Sequence, residues 1–195
     1  MRKSFCSLIS FLLFSLLACG AASAHWYVAP TGNDANNGSK RKPLKTIAAA
    51  LQRVNPGDTV FLREGSYGEF VVPTRSGKTG KMITLKSYPG EIAKIDGSDL
   101  YVKGWGNALV QVNNIDYMQF ENLHICHAHD SENNTDPEGI YITGTSGNIT
   151  FRGCKVYDIK NDCPLVDAKG DWRSAHAILV LGLSLIHISE PTRPY

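Results

Sequence analysis

Two stretches of this chain, residues 126–138 and 157–176, are rich in side chains able to do chemistry. The first carries His127, His129, Asp130, Glu132, Asp136 and Glu138; the second carries Asp158, Asp162, Asp167, Lys169, Asp171, Arg173 and His176. Carboxylates gathered on neighbouring loops can supply the roughly six to eight oxygens that Ca²⁺ takes. Asp162, Asp167 and Asp171 are therefore the candidate ligands of such an ion. A Lys, Arg or His whose charge is suppressed by burial or by its neighbours can remove a proton from carbon. Lys169 and Arg173 are the first candidates for that role and His176 the next. Solvated charges on loops would have the same composition, so the residue types alone leave both readings open.

Cysteine usage adds little. Cys6 and Cys19 fall in an apolar N-terminal segment, which leaves Cys126, Cys154 and Cys163. An odd number argues against a disulfide framework, although a Cys126–Cys163 bridge stays open. Cys126, His127 and His129 are close in the chain, but their spacing matches no structural zinc pattern.

What positions these stretches is a repeat. Val110-Gln111-Val112, Ile140-Tyr141-Ile142 and Ile178-Leu179-Val180 are three copies of one short apolar pattern. Met118–Ile125 aligns with Ile149–Val156, which sets Phe120 on Phe151, Leu123 on Cys154 and Ile125 on Val156. Each piece alternates as a half-buried strand does. Several short strands per period, separated by Gly, Asn and Asp turns, mark a coiled solenoid. The expected fold is all-β: a right-handed parallel β-helix with three short strands per coil. Upstream, Pro43 is placed to begin a helix, with Leu44, Ile47, Ala48, Leu51 and Val54 on one face and Asn55-Pro56-Gly57-Asp58 ending it. Such a helix would cap the open end of the column, where unpaired strand edges need cover. Ser76-Gly77-Lys78-Thr79 imitates the end of a phosphate-binding loop, but Val71 stands where the upstream glycine belongs, so the segment reads as a turn.

The ends differ from the middle. Arg2 and Lys3, the apolar run to Leu17 and Ala22-Ser23-Ala24 form a signal peptide over residues 1–24. Leu16-Leu17-Ala18-Cys19 also resembles a lipobox, so lipid anchoring at Cys19 is the alternative to cleavage after Ala24. Either implies export to a periplasmic, cell-surface or secreted location. Residues 183–195 fit no coil and resemble the in-frame translation of a sequencing adapter. The expected layout is then an N-terminal strand, loop and capping helix over 25–58 and coils over 59–182, truncated at the C-terminus. Setting aside Arg2, Lys3 and Arg193 from the 20 Lys+Arg, and Glu190 from the 18 Asp+Glu, leaves 17 of each. Such a neutral segment lacks the basic excess of a nucleic-acid binder.

Tyr27-Val-Ala-Pro-Thr-Gly-Asn-Asp34, Pro43-Leu-Lys-Thr-Ile47, Pro56-Gly-Asp-Thr-Val60, Arg63-Glu-Gly-Ser-Tyr67, Ile83–Glu91 and Ile95-Asp-Gly97 follow one another in order. That succession resembles the N-terminal part of secreted right-handed parallel β-helix polysaccharide lyases of the pectate-lyase and chondroitinase B-like groups. The resemblance implies a carbohydrate-active protein, monomeric at full length, that cleaves a uronic-acid polysaccharide by β-elimination. In that chemistry Ca²⁺ or a cation neutralises the sugar carboxylate while a base removes the adjacent proton. Among the aromatic residues, Tyr141 and Trp172 are candidates for stacking on sugar rings. A glycoside hydrolase, or a non-catalytic glycan-binding or adhesion protein, on the same fold is the alternative.

Overall fold

Alternating apolar residues in short runs build a column of parallel rungs. The computed structural model of the chain describes residues 23–100, 107–130, 136–162 and 174–181, and the backbone of 186–189. Along the chain lie β1 (His25–Val28), α1 (Ile47–Leu51), β2 (Thr59–Leu62), β3 (Gly65–Tyr67), β4 (Ile83–Ser87), β5 (Ala93–Asp96), β6 (Val110–Asn113) and β7 (Asp116–Glu121). They are followed by β8 (Leu123–Asp130), β9 (Glu138–Thr143), β10 (Gly147–Arg152), β11 (Lys155–Asn161), β12 (His176–Val180) and β13 (Ile186–Ser189). The strands sort into three sheets, ordered β1-β2-β4-β7-β10-β13, β11-β8-β5-β3 and β12-β9-β6. Every ladder between these strands is parallel. A chain that visits three sheets in turn and always pairs in parallel is a β-helix, with coils about 4.8 Å apart.

Register places like on like. Val60, Leu85, Phe120 and Phe151 occupy equivalent rungs of the first sheet. Ile95, Ile125 and Val156 do so in the second, and Val110, Ile140 and Ile178 in the third. Most of these side chains are buried and join one continuous core, with Val156, Ile178 and Cys154 partly buried against it. The corner between the first and second sheets is a residue in the left-handed region: Asn122 at φ 54° in one coil and Gly153 at φ 62° in the next. A Cβ on Gly153 would sit 2.4 Å from Asn122 Oδ1, so glycine answers both the dihedral and the space.

The helix differs from its expected extent. It begins at Ile47, with Thr46 as N-cap accepting from Ala49 N–H. Pro43 and Leu44 stay extended because Leu44 donates its N–H to the Tyr27 carbonyl and bridges Val28. A backbone committed to that pairing cannot also turn into a helix. The buried face is Ile47, Ala50 and Leu51, continued by Val54, whereas Ala48 is exposed. Glu69 accepts from Ile47 and Ala48 N–H, and Asp34 from Lys45 and Thr46 N–H, so side chains satisfy the helix start. The helix packs on β1 and β2, the first two strands of the first sheet.

Two further segments behave as their residue patterns allow. Lys78 and Lys81 pair antiparallel across a tight turn, so the Ser76–Thr79 segment holds no long helix. The tail expected to stand outside the coils instead contributes β13, which pairs with β10 from Ile149↔Ile186 to Arg152↔Ser189. The open edge of a parallel sheet accepts a short run with the right alternation, and Ile186-His187-Ile188 has it. Among the described residues no helix is long and apolar enough to cross a membrane.

Candidate functional site

The flank of the second sheet carries the main polar cluster, and a break in the strands creates it. The expected loop 126–138 is strand as far as Asp130, and 157–176 is strand as far as Asn161. These are two prolonged rungs, paired from Lys155↔His124 to Asn161↔Asp130. The strands bend where His127 takes φ 61° and its neighbour in the next coil, Asp158, takes φ 55°. Consecutive side chains of a regular strand point to opposite faces. A left-handed residue cancels that alternation, so Ile125 and Cys126 are both buried while His127 and His129 stay half-exposed.

Around His127 the contacts are dense. Its Nδ1 lies 2.8 Å from Asp96 Oδ1 and 3.1 Å from Ser98 Oγ. Ser98 also donates to Asp96 Oδ1 at 2.6 Å. On the other side of the ring, Nε2 is 3.7 Å from Asp158 Oδ2, which approaches His129 Nε2 at 3.0 Å. Lys160 Nζ stands 3.9 Å from Asp158 and 3.4 Å from Asp162. Burial works against the Asp96 carboxylate, yet hydrogen bonds from Ser98 and His127 hold it down at about 2. Tyr157 pairs with Cys126 in the ladder, and its interaction with that thiol, with burial, pushes the phenol up to about 12. Burial raises the Cys126 thiol.

Ser98, His127 and Asp96 do not form a nucleophile–base–orienter triad. In such a triad the serine and the carboxylate hold opposite ring nitrogens, whereas here both lie against Nδ1.

A second polar group lies at the start of β9 and β12 in the third sheet. Glu138 faces inward with Ile140 and Ile142, has no solvent exposure, and pairs in register with His176. Neither Glu138 carboxylate oxygen nor His176 Nδ1 has a hydrogen-bond partner among the described residues. Burial, reinforced by the Asp136 charge, raises Glu138 to about 7. Asp136 is buried too and accepts from Ser174 Oγ.

Of the residues singled out in the sequence, Asp162 sits at the end of β11 beside Lys160, with its side chain about 51 % exposed. His176 opens β12, and its N–H donates to the Pro137 carbonyl. Tyr141 is half-buried on β9, between Gln111 and Leu179 of the neighbouring coils. Asp167, Lys169, Asp171, Trp172 and Arg173 lie outside the described residues, as does Cys163. Cys126 and Cys154 carry free thiols. The Asp96–Ser98 contribution was missed because it comes from the preceding coil, where only the Asp96↔Cys126 register reveals it.

With Asp158 and Asp162 each facing Lys160, the described flank offers Ca²⁺ few uncommitted oxygens.

Known proteins share this architecture. The chain is 31 % identical over 144 residues to the uncharacterized protein YwoF of Bacillus subtilis, covering 74 % of this chain and 31 % of that one. It is 26 % identical over 147 residues to pectate lyase PEL9 of Emericella nidulans, covering 70 % and 34 %. The crystal structure of pectate lyase Pel9A superposes with a TM-score of 0.55 at 26 % identity, over 69 % of this chain and 34 % of that one. The chain thus spans about a third of the length of each. The sequence model described as the Pel9A-like, right-handed β-helix region matches residues 26–180. With that match running from β1 to β12, the chain belongs to the Pel9A-like right-handed β-helix family.

Proposed function

We propose that this chain is the N-terminal part of an exported carbohydrate-active enzyme, a lyase that cleaves uronic-acid polysaccharide by β-elimination. The observation that carries this reading is the family match over residues 26–180, joined to relatives named as pectate lyases. Elimination next to a uronate needs a base for the proton α to the carboxylate, and it expels the glycosidic oxygen from the β carbon. The product is an unsaturated sugar.

The prolonged rungs β8 and β11 give this flank a strand scaffold, and segments carried at the ends of such scaffolds commonly hold binding residues. In this reading Lys169 or Arg173 faces the sugar and removes the proton, with His176 the next choice. Tyr141 and Trp172 stack on sugar rings. A Ca²⁺ held by Asp162, Asp167 and Asp171 would offset the uronate charge and make the carbon acid easier to ionise. Glu138 takes no part, because a fully buried inward side chain does not reach a polymer outside the column.

The test is the absorbance of unsaturated uronate after the full-length protein meets pectin, alginate or chondroitin sulfate, with and without chelator. New absorbance on one polymer, lost in Lys169→Ala/Arg173→Ala, is the expected result. New reducing ends without absorbance would replace the lyase by a hydrolase. Retention of polymer without cleavage would replace it by a binding module.

A further inference from the structure

We propose that Asp96, Cys126 and His127 form a binding site for a thiophilic divalent transition-metal ion, with Zn²⁺ the best match. One ligand atom from each of the three lies within 4.8 Å of the other two. The three come from two adjacent coils: Asp96 ends β5, Cys126 is its ladder partner on β8, and His127 follows. Two consecutive residues reach the same ion only because His127 is left-handed. Gly97 keeps that corner open, since its Cβ would lie 2.5 Å from the His127 carbonyl oxygen.

The donor set chooses the metal. Thiolate, imidazole and carboxylate together suit Zn²⁺, whereas Ca²⁺ and Mg²⁺ take oxygen alone. At bond lengths of about 2.0–2.3 Å, tetrahedral donors stand roughly 3.3–3.7 Å apart. Asp96 and His127, now 2.8 Å apart, would therefore separate by about half an ångström as the ion enters their shared hydrogen bond.

The surroundings agree. A histidine that binds metal through one nitrogen usually has a carboxylate at the other, and Asp158 lies on the Nε2 side of His127. Tyr157 is the ladder partner of Cys126 in the adjacent coil. Binding releases the Cys126 thiol proton to solvent and leaves the His127 proton on Nε2, facing Asp158. Three protein ligands leave one position for water or another small donor.

The experiment is a titration of the reduced, metal-stripped chain with Co²⁺, followed by a chase with Zn²⁺. A thiolate-to-cobalt charge-transfer band that saturates stoichiometrically, is bleached by Zn²⁺ and is indifferent to excess Ca²⁺ is expected. The band vanishes in Cys126→Ser, although Cys154 and Cys163 remain. Asp158→Asn, a change at a half-exposed side chain, keeps the band but weakens Co²⁺ binding about 10-fold. No band in the parent chain, a band that persists in Cys126→Ser, or displacement of Co²⁺ by Ca²⁺ overturns the proposal. So does unchanged Co²⁺ affinity in Asp158→Asn.

Discussion

The rings of Phe120 and Phe151 stack with centroids 4.6 Å apart and planes within 4° of parallel. Their spacing is that of the rungs themselves, so the aromatic stack and the β7–β10 ladder impose the same register. Phe120 is fully buried, and truncation to Ala should cost about 3–5 kcal/mol, read as a fall in urea midpoint. Phe120→Leu, which refills much of the space, should recover most of that loss. Equal midpoints for the Ala variant and the parent would mean that the column does not unfold through this rung.

Thr46 gives a smaller, local effect. Its hydroxyl accepts from Ala49 N–H and donates to Asp34. Thr46→Ala should cost about 1 kcal/mol, and Thr46→Ser much less. Asp34→Ala should cost more than either, because that carboxylate also accepts from Lys45 and Thr46 N–H. Chemical denaturation of the three variants checks the order.

Glu138 should make stability depend on pH with the reverse of the usual carboxylate sign. Its value in the folded chain, about 7, lies above the ordinary 4.5, so the folded state holds the proton more tightly than the unfolded one. Its stabilising contribution is complete below about 4.5 and is lost as pH rises through 7, at up to roughly 1.4 kcal/mol per unit. Glu138→Gln should flatten that part of the profile, and Glu138→Leu should be more stable than the parent at pH 8. Denaturant midpoints measured across pH 4–8 test both, and parallel profiles for parent and Gln variant would remove Glu138 as the source.

Gly97→Ala tests the packing of the corner. The new methyl would meet the His127 carbonyl at 2.5 Å and Leu109 Cδ2 at 2.9 Å. Backbone cannot yield as a flexible side chain does, so the loss should be about 2 kcal/mol or more. Gly80→Ala, which meets nothing within 4 Å but sits at φ 71°, separates backbone strain from crowding and should cost only about 1 kcal/mol.

The winding of the chain was legible because the same physics repeats in every coil. Inward positions are apolar and recur at a fixed offset, so aligning Ile125 with Val156 or Ile140 with Ile178 recovers pairs that the ladders confirm. The strand ends were less legible. Polar residues at 127–130 and 158–161 read as loop because half of each prolonged rung faces water. Neither His127 nor Asp158 has a residue type that announces a left-handed φ as glycine does. Pro43 misled for a related reason: a proline suited to a first helical turn serves equally in an extended segment, and the Leu44–Tyr27 hydrogen bond decided between them. The place of Asp96 beside Cys126 and His127 was not legible because no linear spacing rule links residues that meet only by stacking.

The corner that His127 and Asp158 share in two successive coils has a consequence for how such a protein can change. Because the bend is made by main-chain dihedrals and repeated at one height in these two coils, the identities of the residues beside it are less bound to the task of holding the column together. Point substitutions there can trade a thiol for a phenol, as Cys126 and Tyr157 do on neighbouring rungs, without shifting any apolar stack. A single deletion within a rung has no such freedom, since it would turn every side chain beyond it inside out.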